Sequence, residues 1–180
     1  MSGTERTRRF EAATLAHLDA AYNLARWLLR DDQSAQDVVQ EAYLRAFRFF
    51  DSFRGGDARP WLLGIVRNAC YTWMGESSAA RAGVEFDEER DSEAIDASMQ
   101  HAAESPERLL ERKLDRERVN LAIAKLPPIF REVIVLRELE EMSYEEIAQI
   151  AGIPAGTVMS RLARARALLR ASLTRAGQED

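Results

Sequence analysis

The sequence predicts an all-α protein: two small helical domains joined by a flexible acidic linker, the second domain containing a helix-turn-helix. Apolar residues recur at spacings of three and four over most of the chain, and no useful length alternates with the period of two typical of strands. Residues 76–105 interrupt this pattern, with few large apolar side chains and no sustained period. The expected boundaries are 1–75 for the first domain, 76–106 for the linker and 107–180 for the second domain.

The first domain is expected to contain three helices. The first is indicated by one apolar face, formed by Leu15, Leu18, Tyr22, Ala25 and Leu29. The second, residues 34–50, follows polar residues suited to capping and has the apolar stripe Val39, Tyr43, Ala46 and Phe50. Paired glycines predict a loop over 53–57, and Pro60 suits the first turn of a third helix. The apolar side of that helix is Trp61, Leu62, Ile65, Val66 and Ala69.

The linker holds most of the acidity of this 180-residue chain, whose formal net charge is −5. Residues 76–105 contain nine acidic residues and two arginines, a charge of −7 that leaves +2 for the rest. Such a segment suits a solvated, self-repelling tether.

Helical pattern returns at Pro106, with the apolar residues Leu109, Leu110, Leu114, Val119, Ile123 and Leu126. The prolines at 127 and 128 end this helix, and a shorter helix is expected over 129–139. The next stretch reads SYEEIAQIAGIPAGTVMSRLARARALLR. Ser143 and Glu146 form a capping box, Gly152 suits a helix end and Pro154 a helix start, which together predict a helix-turn-helix.

Projection of the second helix of this motif separates two faces. Val158, Leu162, Ala165 and Leu169 share one arc, which is expected to be buried. The opposite face carries Gly156, Ser160, Ala163 and Ala167, with Met159 and Arg164 at its margins. Arg161 and Arg166 flank the buried arc, and no acidic residue occurs between Pro154 and Gly177. Small residues with lateral arginines favour a helix that enters a DNA groove over a plain helical hairpin.

Two parts of the chain resemble bacterial sigma factors of the extracytoplasmic-function group. YEEIAQIAGIPAGTVMSRLARARALL, preceded by AKLPPIFREVIVLRELEEMS, resembles their C-terminal DNA-binding region. QSAQDVVQEAYLRAFRFFDSFRGGDARPWLLGIVRNACYTW is similar to their polymerase-binding and promoter-melting region. The resemblance covers about 10–73 and 107–170. It implies a protein without an active site, which binds core RNA polymerase and promoter DNA and is held inactive by an anti-sigma factor.

The resemblance also implies site residues. Core polymerase would be bound by Asp37, Gln40, Glu41 and Arg45, although a solvated helix face is the simpler alternative. The melted minus-ten element would be contacted by Arg54, Asp57, Arg59, Trp61, Arg67, Asn68 and Tyr71, where a flipped base needs a pocket with a polar rim. Trp61 suits the core better than a nucleic-acid contact, because an aromatic residue on an apolar stripe is usually buried, so Arg67 and Asn68 are the stronger candidates. The minus-thirty-five duplex would be contacted by Thr157, Met159, Ser160, Arg161, Ala163, Arg164 and Arg166. Met159 and Ala163 stand where relatives often carry arginine or a bulky residue, so phosphate contacts and groove shape are expected to matter more than base readout.

The resemblance also implies that the linker threads a basic channel of the polymerase, a path that suits a segment of charge −7. Replacing the nine linker acids with Gln or Asn is then expected to weaken initiation or promoter escape. Transcript yield would measure this, and an unchanged yield would leave only the tether interpretation.

Other function classes remain open but are less favoured. A one-component helix-turn-helix regulator would bind duplex DNA without polymerase, and a sigma-like decoy would sequester an anti-sigma factor without needing the arginines. No enzyme, cofactor or metal is expected, because His17 and His101 lie in different segments without a ligand cluster. The single Cys70 excludes an internal disulfide. No apolar run approaches the roughly 20 residues of a membrane span, and the N-terminus lacks a signal-peptide core, so a soluble cytoplasmic protein without membrane insertion is expected.

Overall fold

The computed structural model describes residues 2–80 and 105–178, with the backbone alone for 76–80, and every regular element within these residues is helical. The α-helices are α1 (Gly3–Thr14), α2 (Leu18–Leu29), α3 (Asp32–Arg48), α4 (Ala58–Ala80), α5 (Pro106–Ala124), α6 (Pro128–Ile134), α7 (Tyr144–Ala151) and α8 (Ala155–Ala176). Short 3-10 turns follow α1 and α3, and a π-helical segment, Val135–Leu139, follows α6. The all-α prediction is confirmed.

The apolar face proposed for the first helix is wrong at its beginning. Leu15 and Leu18 are 57% and 43% exposed, because a 3-10 turn at Leu15–His17 separates α1 from α2. A change of helical type shifts the phase, so residues on its two sides do not share one stripe. The core of α2 instead includes Ala21, Leu24 and Leu28.

For helices α3 and α4 the structure agrees more closely with the prediction from the sequence. The Asp31 carboxylate accepts a hydrogen bond of 2.8 Å from the Ser34 backbone N–H and so caps α3. On α4, Leu62 and Val66 are fully buried, as predicted. The helix continues to Ala80, past the expected linker start at residue 76. The rest of the predicted linker, up to residue 104, lies outside the described residues.

The apolar face proposed for α5 is correct only near its end. Leu109, Leu110, Leu114 and Val119 are exposed, whereas Ile123 and Leu126 are buried. The burial lies at the C-terminal end of α5, and the helix packs against α6 and α8. The first turns of α5 therefore present leucines to solvent.

The helix-turn-helix forms as predicted. Ser143 Oγ accepts from the Glu146 backbone N–H at 3.1 Å, while the Ser143 N–H donates to Glu146 Oε1 at 3.2 Å. Gly152 ends α7 with a φ of 67°, a left-handed conformation that glycine adopts at little cost. Pro154 precedes α8, which begins at Ala155.

The two halves of the chain pack against each other. Helix α4 lies against α7, and α2 lies against α6. One hydrophobic cluster includes Leu63 and Val66 from the first half with Val133, Ile147 and Ile150 from the second. The predicted domains therefore share a buried interface, which the sequence pattern did not indicate.

Candidate nucleic-acid and polymerase interfaces

The outer face of α3 is open to solvent and polar. Asp37, Gln40, Glu41 and Arg45 are all exposed, and Asp37, Glu41 and Arg45 follow one another at spacings of four residues. Glu41 and Arg45 form an i,i+4 ion pair at 4.0 Å, and Gln33 Nε2 donates to Asp37 Oδ1 at 3.1 Å. These are weak surface interactions, so the face is available to a partner.

Sequence reasoning missed one member of this face. Leu44 is 64% exposed and stands between Gln40 and Glu41 on one side and Arg48 on the other. The 3.6-residue period of an α-helix places Leu44 beside the four polar candidates, so the sequence alone could have identified Leu44 as part of this face. An apolar side chain within a charged rim is typical of protein interfaces.

The loop between α3 and α4 adopts a conformation that its glycines permit. Gly55 and Gly56 have φ values of 86° and 81°, where a Cβ would be strained. Asp57 Oδ1 accepts from the Arg59 backbone N–H at 3.0 Å and caps α4. Arg54 is exposed, so it remains available to a nucleic acid, whereas the Asp57 carboxylate stabilises the N-terminus of α4.

Trp61 belongs to an aromatic cluster at the base of this loop. Its ring lies 5.0 Å from that of Phe53 and 6.3 Å from that of Phe50, centroid to centroid. The side chain is half-buried, with the core of α1 and α3 beneath it. A groove beside the loop is lined by Phe53, Arg54 and Trp61, and its far wall is Glu146 and Gln149 of α7.

Arg67 is bound to the opposite half of the chain. Its Nε and Nη2 donate to the two carboxylate oxygens of Glu132 at 2.9 and 3.1 Å. Burial lowers the pKa of Arg67, but the hydrogen bonds and charge of Glu132 outweigh that effect, so its pKa is raised. The Tyr71 ring packs 3.9 Å from the guanidinium carbon, and burial raises the pKa of the Tyr71 hydroxyl.

Two other minus-ten candidates differ in their surroundings. Arg59 Nη2 donates to the Glu140 carbonyl at 2.7 Å and to Glu140 Oε2 at 3.1 Å. Asn68 is exposed, and its Oδ1 accepts a long hydrogen bond of 3.4 Å from Arg67. The seven candidates thus lie along one loop and one helix, and several of them face α6, Glu140 or α7.

Helix α8 presents the outer face that its sequence predicts. Met159, Ser160, Ala163 and Arg164 are exposed, and Thr157 is half-buried. Ser160 Oγ donates to the Thr157 carbonyl at 3.0 Å. On the opposite side Val158, Leu162 and Ala165 are buried, while Leu169 is half-buried and packs against the same core cluster.

The two lateral arginines of α8 are paired with acids. Arg161 Nη1 lies 3.8 Å from Glu132 Oε1, and Arg166 Nη2 donates to Glu138 Oε1 at 2.8 Å. The hydrogen bond from Arg166 to Glu138 raises the pKa of Arg166. Glu132 was not singled out from the sequence, although the pair Arg131-Glu132 inside the apolar run IFREVIVL was a signal for a buried polar contact.

His17 Nε2 lies 3.9 Å from Asp57 Oδ1. Within the described ranges no group of three or more His, Cys, Asp or Glu residues is placed to hold a metal ion. Among the residues described, no helix combines the length and apolarity needed to cross a membrane.

Comparison with known proteins matches both halves. The family described as Sigma-70 region 2 matches residues 14–78, and Sigma-70, region 4 matches residues 116–169. The chain is 35% identical to the RNA polymerase sigma-H factor of Pseudomonas aeruginosa over 88% of its length and 83% of that protein. It is 37% identical to the ECF RNA polymerase sigma-E factor of Escherichia coli over 72% of its length and 69% of that protein.

Two solved structures resemble the whole arrangement. The sigma factor RpoE of Bartonella quintana, in complex with the anti-sigma factor NepR, has a TM-score of 0.70, 27% identity and coverage of 93% of this chain and 98% of that one. CnrH in complex with the cytosolic domain of CnrY has a TM-score of 0.64, 27% identity and coverage of 94% and 90%.

Proposed function

The chain belongs to the extracytoplasmic-function group of the sigma-70 family, and from this premise we propose how its two halves direct transcription initiation. It is an alternative sigma factor that binds core RNA polymerase and selects promoters. The observation that carries this is the presence of regions 2 and 4 in one chain, each with an exposed face of suitable chemistry. The exposed face of α3 binds polymerase, and the outer face of α8 binds duplex DNA.

The first domain traps a base of the melted minus-ten element. Arg54 and Asn68 are exposed beside the groove at the glycine loop, and Arg59, Arg67 and Tyr71 add cationic and aromatic groups along α4. Arginine and aromatic side chains suit unstacked bases, because both can stack on a nucleobase. Asp57 contributes by capping α4, and Trp61 contributes by supporting the loop from the aromatic cluster.

Helix α8 enters the major groove at the minus-thirty-five element. Its small outer residues let the helix backbone approach the floor of the groove closely. Ser160 and Arg164 reach base edges, whereas Arg161 and Arg166 reach phosphates. The chain supplies no catalytic group, since the polymerase performs the chemistry. It acts in the cytoplasm, where promoter DNA and polymerase meet.

An anti-sigma factor is the proposed inhibitor. Two of the solved structures that match the chain are complexes, one of a sigma factor with the anti-sigma factor NepR and the other of CnrH with the cytosolic domain of CnrY. The exposed leucines at the start of α5 add apolar surface that such a partner can cover.

Reversing one charge on the α3 face tests polymerase binding. The Glu41→Arg variant is expected to bind core polymerase at least about ten times more weakly, because opposed like charges at an interface cost several kcal/mol. Folding is expected to be unchanged, since the Glu41–Arg45 pair contributes only tenths of a kcal/mol. Glu11→Arg on exposed α1 is the matched control. Equal binding of core polymerase by both variants, measured by fluorescence titration, would remove α3 from the polymerase interface.

A further inference from the structure

We propose that a second groove, between α1 and the glycine loop, binds the nucleotide next to the one trapped from the melted minus-ten strand. This inference rests on the proposed function and deepens it, because it adds a second contact with the same single strand. Arg6, Arg9 and Ala12 of α1 line one side of this groove, and Phe50, Asp51 and Phe53 line the other. We call it the α1 groove. Its volume of about 570 Å³ lies within the range of roughly 300–1,000 Å³ that small-ligand sites have.

Helix α1 is anchored against the end of α3, so the α1 groove is preformed. Arg6 Nη2 donates to the Phe47 carbonyl at 2.6 Å, and Arg6 Nε lies 3.2 Å from Asp51 Oδ1. The guanidinium carbon of Arg6 also lies 4.5 Å from the centroid of the Phe47 ring. Beneath these contacts the Phe10 ring packs edge-on against Phe50, with 5.4 Å between centroids. A groove that is already shaped spares part of the ordering cost of binding.

The α1 groove combines an aromatic surface with cationic side chains, as sites for unstacked nucleotides do. The half-buried Phe53 ring stacks on Phe50, with centroids 6.0 Å apart and an interplanar angle of 18°. Arg9 is exposed on α1, where it can contact a backbone phosphate. The Asp51 side chain is 79% exposed and can accept hydrogen bonds from base N–H groups, while Arg6 beside it offsets the negative charge. The groove thus offers a stacking surface, a polar edge for the base and a cation for its phosphate.

Continuity with the groove beside Trp61 identifies the occupant as the same DNA strand. Phe53 and Gly55 line both grooves, which therefore lie on two sides of one loop. A strand that places one base beside Trp61 passes over this loop with its next nucleotide. Arg54 is exposed on the loop and can contact the phosphate that joins the two nucleotides. Bases of duplex DNA are stacked and paired, so two such grooves favour the melted strand over the duplex.

Binding of a single-stranded oligonucleotide to the holoenzyme tests the α1 groove. The probe is the non-template strand of the melted region, taken from a promoter mapped with this holoenzyme, either intact or with one abasic site. We expect the holoenzyme to lose about tenfold in affinity when the base beside the trapped one is removed, within the range for one stacked base. If neither neighbour of the trapped base matters, the proposal is wrong, although the proposed function stands.

Ala12→Phe links that loss to the α1 groove. Ala12 is exposed, so the larger side chain narrows the groove and leaves every charge in place. The variant holoenzyme is expected to bind the intact strand about tenfold more weakly and the strand lacking the neighbouring base as well as the wild type does. Such non-additivity indicates a direct contact, whereas a general effect on folding would weaken both strands equally. Equal binding of the intact strand by variant and wild type, or equal weakening of both strands, would overturn the proposal.

Arg9→Ala tests the phosphate contact independently, with Arg8→Ala as the matched control. Both arginines are exposed on α1, but only Arg9 is among the residues that line the groove. Arg9→Ala is expected to weaken binding several-fold and to reduce its salt dependence, whereas Arg8→Ala should have a smaller effect. Equal losses from the two variants would contradict the proposal. Failure of the wild-type holoenzyme to bind the intact strand would instead refute the proposed function, so the two failures are distinguishable.

Discussion

Replacing Leu162 with alanine is expected to lower the free energy of unfolding by about 2–5 kcal/mol, the range for removing a fully buried leucine. Leu162 is 1% exposed and lies at the centre of the buried side of α8, beside Val158 and Ala165. The cavity would open between α8 and the helices beneath it, where well-packed neighbours collapse only partly. Urea denaturation followed by circular dichroism measures the change.

The control for this substitution lies on the opposite face of the same helix. Met159 is 54% exposed, so Met159→Ala is expected to change the free energy of unfolding by no more than about 0.5 kcal/mol. Similar destabilisation by both substitutions would mean that the assigned faces of α8 are wrong.

Replacing Arg164 with alanine is expected to cost about 1–3 kcal/mol of promoter binding, or roughly five- to 150-fold in affinity, without affecting folding. Arg164 is exposed on the outer face of α8, while Arg161 and Arg166 are paired with Glu132 and Glu138. It is therefore the arginine of this helix best placed to meet a base edge. Binding of the assembled holoenzyme to promoter duplexes with each minus-thirty-five position varied measures the loss and its sequence dependence.

Arg175→Ala removes the same charge near the end of α8, where the side chain is also exposed. It should weaken binding little and equally for all sequences, because a distant charge acts only through general attraction. If Arg164→Ala and Arg175→Ala weaken promoter binding equally, Arg164 contributes only nonspecific electrostatic attraction.

The elements whose signals are local could be predicted from the sequence. The capping box at Ser143 and Glu146, the left-handed Gly152 and the buried arc at Val158, Leu162 and Ala165 all follow from residues within a few positions of one another. The polar face of α3 follows from one helical period in the same way. Capping and periodicity act over one or two turns, so they are present in the sequence.

The features that depend on contacts between distant segments could not be predicted. Arg67 and Glu132 are 65 residues apart, and Arg59 and Glu140 are 81 apart. Nothing in either neighbourhood indicates that they meet. The predictions that Leu15 and Leu110 are buried were wrong for a related reason. An apolar stripe shows which side chains are suited to burial, but burial also requires a packing partner.

Mapping transcript starts with core RNA polymerase, the purified chain and fragmented DNA of its own organism tests the central claim most directly. The account predicts discrete starts that share an upstream pair of motifs and are absent with core polymerase alone. Binding of duplex DNA by the chain alone, with no starts and no binding to core polymerase, would contradict it and indicate a one-component regulator. Failure to bind either would indicate a decoy for an anti-sigma factor.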